Sequence, residues 1–479
     1  TEAIRQYEEG LLLEPKNKLL YQTRIIHTLL FQQKIDEARK QLDTTLAENP
    51  KDEGLRVTKA SLRLGTGDSK EVDLAVQEFQ QLVKESPENA VLRFHLGRAW
   101  VMKRDFRPGQ AELREAVKRR RDLLPAYIAL TEVTIDMRQY REALQNANEI
   151  LAQAPRNQRG RLLRAVALVG QENYLMARPE LERLVQEYPE FGEAQLQYAL
   201  LNLAEKRMPD AEAQLRRLYR PGHADPRVLR GMAEVHVMQG RLNEAIALVR
   251  DEIRKSPPPA IDHRRLLAEL ATRGGQFDLA VTTLHELIAL DARPTDARFQ
   301  LSGLYYLQGD MAKAIGLLEE NRRQMPNDPT VLLTLGSLYE RGGRLPEAQA
   351  LYRETLKLDP DNAAAMNNLA YNLVESGGDL EEALVFAKRA SQRAPDQPQY
   401  SDTMAWIYLK KKMTSAALQV FENLARKHPD VSTYRYHLGA ALMEKGEHSR
   451  AKSELTAALS KKPSAHQEGR IRALLSSAN

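Results

Sequence analysis

Residues 332–360 read LLTLGSLYERGGRLPEAQALYRETLKLDP, and this stretch decides the fold. Leu332, Leu335, Gly336 and Tyr339 fall on one face of a first helix, and Ala348 and Tyr352 on the facing side of a second. Gly343 between them suits a tight turn, because glycine reaches left-handed backbone conformations without steric cost. Pro360 cannot continue a helix, so it closes the unit. The same frame returns as Leu301-Ser302-x2-Tyr305, Ala314-x3-Leu318 and Pro326, and as Met404-Ala405-x2-Tyr408, Ala417-x3-Phe421 and Pro429. It returns again as Leu438-Gly439, Ala451-x3-Leu455 and Pro463.

Carried along the chain, the frame starts near residues 18, 53, 90, 124, 158, 192, 226, 261, 295, 329, 363, 398 and 432, a period of about 34 residues. A small residue recurs in the first helix (Gly97, Ala165, Ala199, Ala233, Ala268, Gly336, Ala370, Gly439), where any bulk would hold the two helices apart. The frame is weakest in the first two copies, with Ile25 and Thr28 at the small and aromatic positions. Residues 68–73 look like a short loop insertion.

This pattern resembles the tetratricopeptide repeat, with Leu332 where that family often has Trp. The resemblance implies an all-α, right-handed superhelical solenoid of about 13 helix-turn-helix repeats, with a concave groove for peptides or partner domains. The expected organisation is the second helix of a truncated repeat (1–17), an N-terminal array (18–260), a C-terminal array (261–463) and a capping helix or tail (464–479). The chain thus starts mid-repeat. Asn367-Asn368-Leu369-Ala370-Tyr371 with Gly377-Gly378-Asp379-Leu380-Glu381-Glu382-Ala383, and Arg435-Tyr436-His437-Leu438-Gly439, are similar to repeats of bacterial envelope and exopolysaccharide-locus members of the family.

In the family the first helix of each repeat lines the groove with its second, fifth, ninth and twelfth positions, which helical spacing puts on one stripe. Applied here, the stripe carries Phe299, Tyr306, Asn367, Tyr371, Asp402, Trp406 and Tyr436, which suits a largely apolar partner segment that also hydrogen-bonds. The alternative is that these rings pack between repeats, as Trp100, Tyr305, Tyr339 and Tyr408 are expected to. Arg98, Arg159, Arg227, Arg230 and Arg265 lie on the same stripe further towards the N-terminus. They could take an acidic partner, or be solvated or paired with acids on adjacent helices. The lysine-and-asparagine clamp by which some members grip a terminal carboxylate is missing: Leu333, Ser337, Gln399 and Thr403 stand at its positions, and only Asn368 matches.

Composition agrees. Of 479 residues 42% are apolar, 28% charged and only 6% aromatic, as packed amphipathic helices require. No window offers the ~20 apolar residues of a membrane span. The absence of cysteine excludes disulfides, thiolate zinc sites and cysteine nucleophiles. No phosphate-cradling loop occurs, and His285-Glu286 lacks the second histidine of a zinc-protease motif, with Ala289 in its place. The function expected is therefore a non-catalytic scaffold that binds proteins or peptides, without cofactor, metal or nucleic acid. A bacterial periplasmic or envelope assembly for polysaccharide export or secretion is the favoured setting over a cytosolic adaptor. An RNA-reading repeat would need the same base-reading residues in every copy, and these vary.

Overall fold

The computed structural model describes residues 2–291 and 294–477. They form 28 α-helices, with no strand among the described residues, in two units: residues 1–241 and 242–479. Unit 1 holds α1 (Glu2–Leu13), a 3₁₀ turn (Pro15–Asn17), α2 (Lys18–Phe31), α3 (Ile35–Glu48), α4 (Glu53–Leu64), α5 (Ser69–Glu85), α6 (Ala90–Met102), α7 (Phe106–Arg119), α8 (Leu124–Asp136), α9 (Tyr140–Gln153), α10 (Gln158–Gly170), α11 (Tyr174–Glu187), α12 (Gly192–Ala204), α13 (Met208–Leu218) and α14 (Pro226–Met238). Unit 2 holds α15 (Leu242–Lys255), α16 (Ile261–Arg273), α17 (Phe277–Leu290), α18 (Thr295–Leu307), α19 (Met311–Gln324), α20 (Pro329–Arg341), α21 (Leu345–Leu358), α22 (Ala363–Glu375), α23 (Leu380–Arg393), α24 (Pro398–Lys410), α25 (Thr414–Lys427), α26 (Ser432–Lys445), α27 (His448–Ser460) and α28 (Ala465–Ser477).

Each unit is a stretch of helical-repeat solenoid in which every helix packs on the one before it and the one after it within the unit. The close approach within a pair depends on the small residue. A Cβ at Gly97 would sit 2.7 Å from Leu113 Cγ and 3.1 Å from the Gly109 carbonyl oxygen, and one at Gly336 would sit 2.7 Å from Tyr352 Cε1. Helix starts are fixed by caps: the side chains of Asn89, Asn157, Asp328, Asn362 and Asp379 accept from backbone N–H groups of the first turn. Asp68 does the same for Lys70 and Glu71, so residues 69–73 are the first turn of the 17-residue α5 and not a loop insertion. Sequence inspection missed this because Asp68-Ser69 is as good a cap as it is a loop.

In unit 2 the first helices of successive pairs touch one another, α20 with α22, α22 with α24 and α24 with α26, and α28 continues the series by touching α26. Second helices meet chiefly the helices that flank them in the chain. The row of first helices therefore has the shorter path and forms the inner face of the unit. One continuous core of buried residues runs beneath it from Ala314 on α19 to Ile471 on α28.

Candidate functional site

The inner face of unit 2 is built by α18, α20, α22, α24, α26 and α28. Of the side chains expected to line it, Phe299, Tyr306 and Tyr371 are half-buried and rest on the core with part of each ring open. Arg341 hydrogen-bonds the Tyr306 hydroxyl and holds its guanidinium 5.1 Å from that ring's centroid. Asn367 is 9% exposed, and its Oδ1 has no hydrogen-bond partner.

Four of the expected lining residues are interior, Asn367 and three more. Trp406 is 3% exposed, Tyr436 4% and Asp402 6%. Trp406 stacks on His437 with ring centroids 4.3 Å apart and donates from Nε1 to Glu375 Oε1 at 2.9 Å. Asp402 binds His437 Nδ1 through both carboxylate oxygens, at 2.9 and 3.0 Å. Helical spacing alone would give these side chains an open position on the inner stripe. They are covered because residues one repeat away, and α28, close over them. Of the rings assigned to packing, Tyr339 is buried and Trp100, Tyr305 and Tyr408 are half-buried.

The arginine stripe is largely neutralised within the chain. Arg159 pairs with Glu132 and Glu193 at 2.7 and 2.5 Å, Arg227 with Asp225 at 2.8 Å, and Arg265 with Asp262 and Asp291 at 3.1 and 2.6 Å. Arg98 is exposed, with its guanidinium 5.6 Å from the Phe94 centroid. Arg230, also exposed, has an interaction of its own. An acidic partner would have to displace acids already in place at Arg159, Arg227 and Arg265.

A row of polar groups that the stripe rule overlooked lies beside Tyr371. Glu340 Oε2 accepts from the Tyr352 hydroxyl at 3.0 Å and from Asn372 Nδ2 at 3.4 Å, and Asn368 Nδ2 donates to Ser337 Oγ at 3.3 Å. Glu375, at the end of α22, accepts from Trp406 and, at 2.8 Å, from Arg470 Nη1 on α28. The spacing Asn368-x3-Asn372 and Tyr371-x3-Glu375 puts both pairs on consecutive turns of one helix, and that was the available signal.

Burial, with the Glu375 charge adding to it, pushes the Tyr371 hydroxyl up to about 12, so it stays a hydrogen-bond donor at neutral pH. Burial also raises the Glu340 carboxyl above the ordinary carboxylate range, against the hydrogen bonds from Tyr352 and Asn372. The native state then holds that proton more tightly than the unfolded chain does. Stability from this group is complete below the unfolded pKa of about 4.3 and is lost as pH rises through the folded one. Glu340→Gln is expected to raise Tm at pH 7 and to make no difference near pH 4. Thermal melts followed by circular dichroism across that range check this, and coincident curves would make Glu340 an ordinary solvated carboxylate.

Among the described residues, no group of three or more His, Asp and Glu side chains is placed to hold a metal, and no helix is long and apolar enough to cross a membrane. Two family models, both described as tetratricopeptide repeat, match residues 341–407 and residues 162–226, 265–329 and 403–466, together more than half of the chain. Cellulose synthase operon protein C of Pseudomonas fluorescens is 22% identical over 392 residues, covering 78% of this chain and 28% of that protein. A TPR repeat-containing protein of Pseudomonas aeruginosa is 29% identical over 118 residues, covering 25% of this chain and 20% of that one. The chain thus spans under a third of the length of either relative. A crystal structure of a tetratricopeptide repeat protein from Parabacteroides merdae superposes with a TM-score of 0.44 at 17% identity, over 53% of this chain and 98% of that one.

Proposed function

The chain belongs to the tetratricopeptide-repeat family, whose repeats generally mediate protein–protein interaction, and from that membership we propose a non-catalytic scaffold that holds partner segments on the inner face of unit 2. The carrying observation is the set of half-open rings, Phe299, Tyr306 and Tyr371, resting on a rigid core along that face. Aromatic side chains anchored in this way lose little conformational freedom when a partner covers them, which is why they dominate interfaces. The likeness to cellulose synthase operon protein C over 78% of the chain supports a place in a bacterial envelope assembly for polysaccharide export.

Phe299→Ala with Tyr306→Ala tests the reading. Cross-linking of the native gene product in its own organism should capture envelope proteins, and the double variant should lose at least tenfold of that yield while keeping its helicity. Undiminished capture by the variant would place the binding surface elsewhere.

A further inference from the structure

Arg470 spans three helix pairs. It leaves α28, lies with Cζ 5.5 Å from the Tyr436 centroid and 5.8 Å from the Trp406 centroid, and donates from Nη1 to Glu375 Oε2 at 2.8 Å. The acid and the two rings come from three successive first helices, α22, α24 and α26, and α28 supplies only the cation. Lys410 Nζ also lies 4.7 Å from the Trp406 centroid, so that ring already serves as a platform for positive charge. The anchor of α28 is small: Ile471 is fully buried, while Leu474 and Leu475 are half-buried. Along the same face from Glu375, Glu340 accepts only from Tyr352 and Asn372, and the charge of Arg341 acts on it without a close ion pair among the described residues. Carboxylates on one face call for N–H donors carrying positive charge. A guanidinium is the group that can stack on rings while donating to a carboxylate in its own plane.

We propose that Trp406, Tyr436 and Glu375 form an arginine-binding cradle for a basic segment of a partner protein, filled in this chain by Arg470 and opened when the partner's arginine displaces it. The inference rests on the scaffold reading and gives the partner its chemistry. Tethered ligands act at millimolar effective concentration, so Arg470 sets a threshold that excludes weak or singly basic partners.

The test uses Arg470→Ala in a Trp100→Phe background, where emission reports Trp406 alone. Titration with N-acetyl-arginine amide should give a saturable change in emission. N-acetyl-citrulline amide, equal in shape and uncharged, should respond at least tenfold more weakly. Adding Glu375→Gln should weaken the arginine response at least tenfold, and the chain with Arg470 intact should need at least tenfold more ligand. The Trp406 Nε1–H resonance of the unsubstituted chain, titrated with both amides, gives the same discrimination should Arg470→Ala disturb folding. No saturable response to arginine, or an equal response to citrulline, overturns the cradle and leaves Arg470 as a fastening for α28. Partner capture lost on Phe299→Ala/Tyr306→Ala while the titration stays blank would keep the scaffold and remove only this inference.

Discussion

Trp406→Ala is expected to cost unit 2 about 3–5 kcal/mol, the range for removing a large aromatic side chain from a packed core. The ring is buried among Tyr436, His437 and Glu375, and it lies in the core that runs from α19 to α28. Its removal leaves a cavity that helices fixed by their own neighbours close only in part. It also strips His437 of its stacking partner and Glu375 of a hydrogen bond. Because repeats contact chiefly their neighbours, the damage should stay local. Hydrogen exchange should show α22, α24, α26 and α28 losing protection while the helices of unit 1 keep theirs. Tyr371→Ala, at a half-open ring, should cost markedly less. If Trp406→Ala instead changed local stability by under about 1 kcal/mol while partner binding fell, Trp406 would be a contact surface and its burial in the fold incidental.

The helix pairs were legible because each boundary has a local cause: Pro360 cannot propagate a helix, Gly343 takes φ +75° at the turn, and Gly336 leaves room for Tyr352. The all-helical repeat architecture follows from those causes repeated at one period. The interior placement of Trp406, Asp402 and Tyr436 was not legible from position within a single helix, because it depends on what the next repeat presents. A different reading would have recovered part of it. Residues about one period apart on first helices are neighbours in space, as Arg159 with Glu193, Asp402 with His437 and Trp406 with Glu375 show. Searching the sequence for complementary groups at that separation finds these pairs, and with them the neutralisation of Arg159. The Glu375–Arg470 contact escapes such a search, since it spans nearly three periods and depends on where α28 packs.

Asp402 and His437 should behave as one energetic unit. Both are buried, and their contact joins α24 to α26 beneath Trp406. His437→Leu leaves a carboxylate that folding has removed from water with no donor to replace it, a loss of about 3–5 kcal/mol for a broken buried pair. Asp402→Leu alone should cost a similar amount, since the imidazole Nδ1 then lacks its acceptor. The double variant is different: two apolar side chains, somewhat larger in total, take the place of the pair and leave no unsatisfied polar group. It should lie within about 1–2 kcal/mol of the parent, so the cycle closes with a coupling far outside additivity. Urea unfolding of the four chains, followed by local hydrogen exchange in α24 and α26, measures this. Additive losses would mean that water reaches the pair and that Asp402 faces the groove. Non-additive losses, with partner capture intact in the double variant, would place the pair in the architecture of the inner face and leave recognition to the half-open rings and carboxylates beside it.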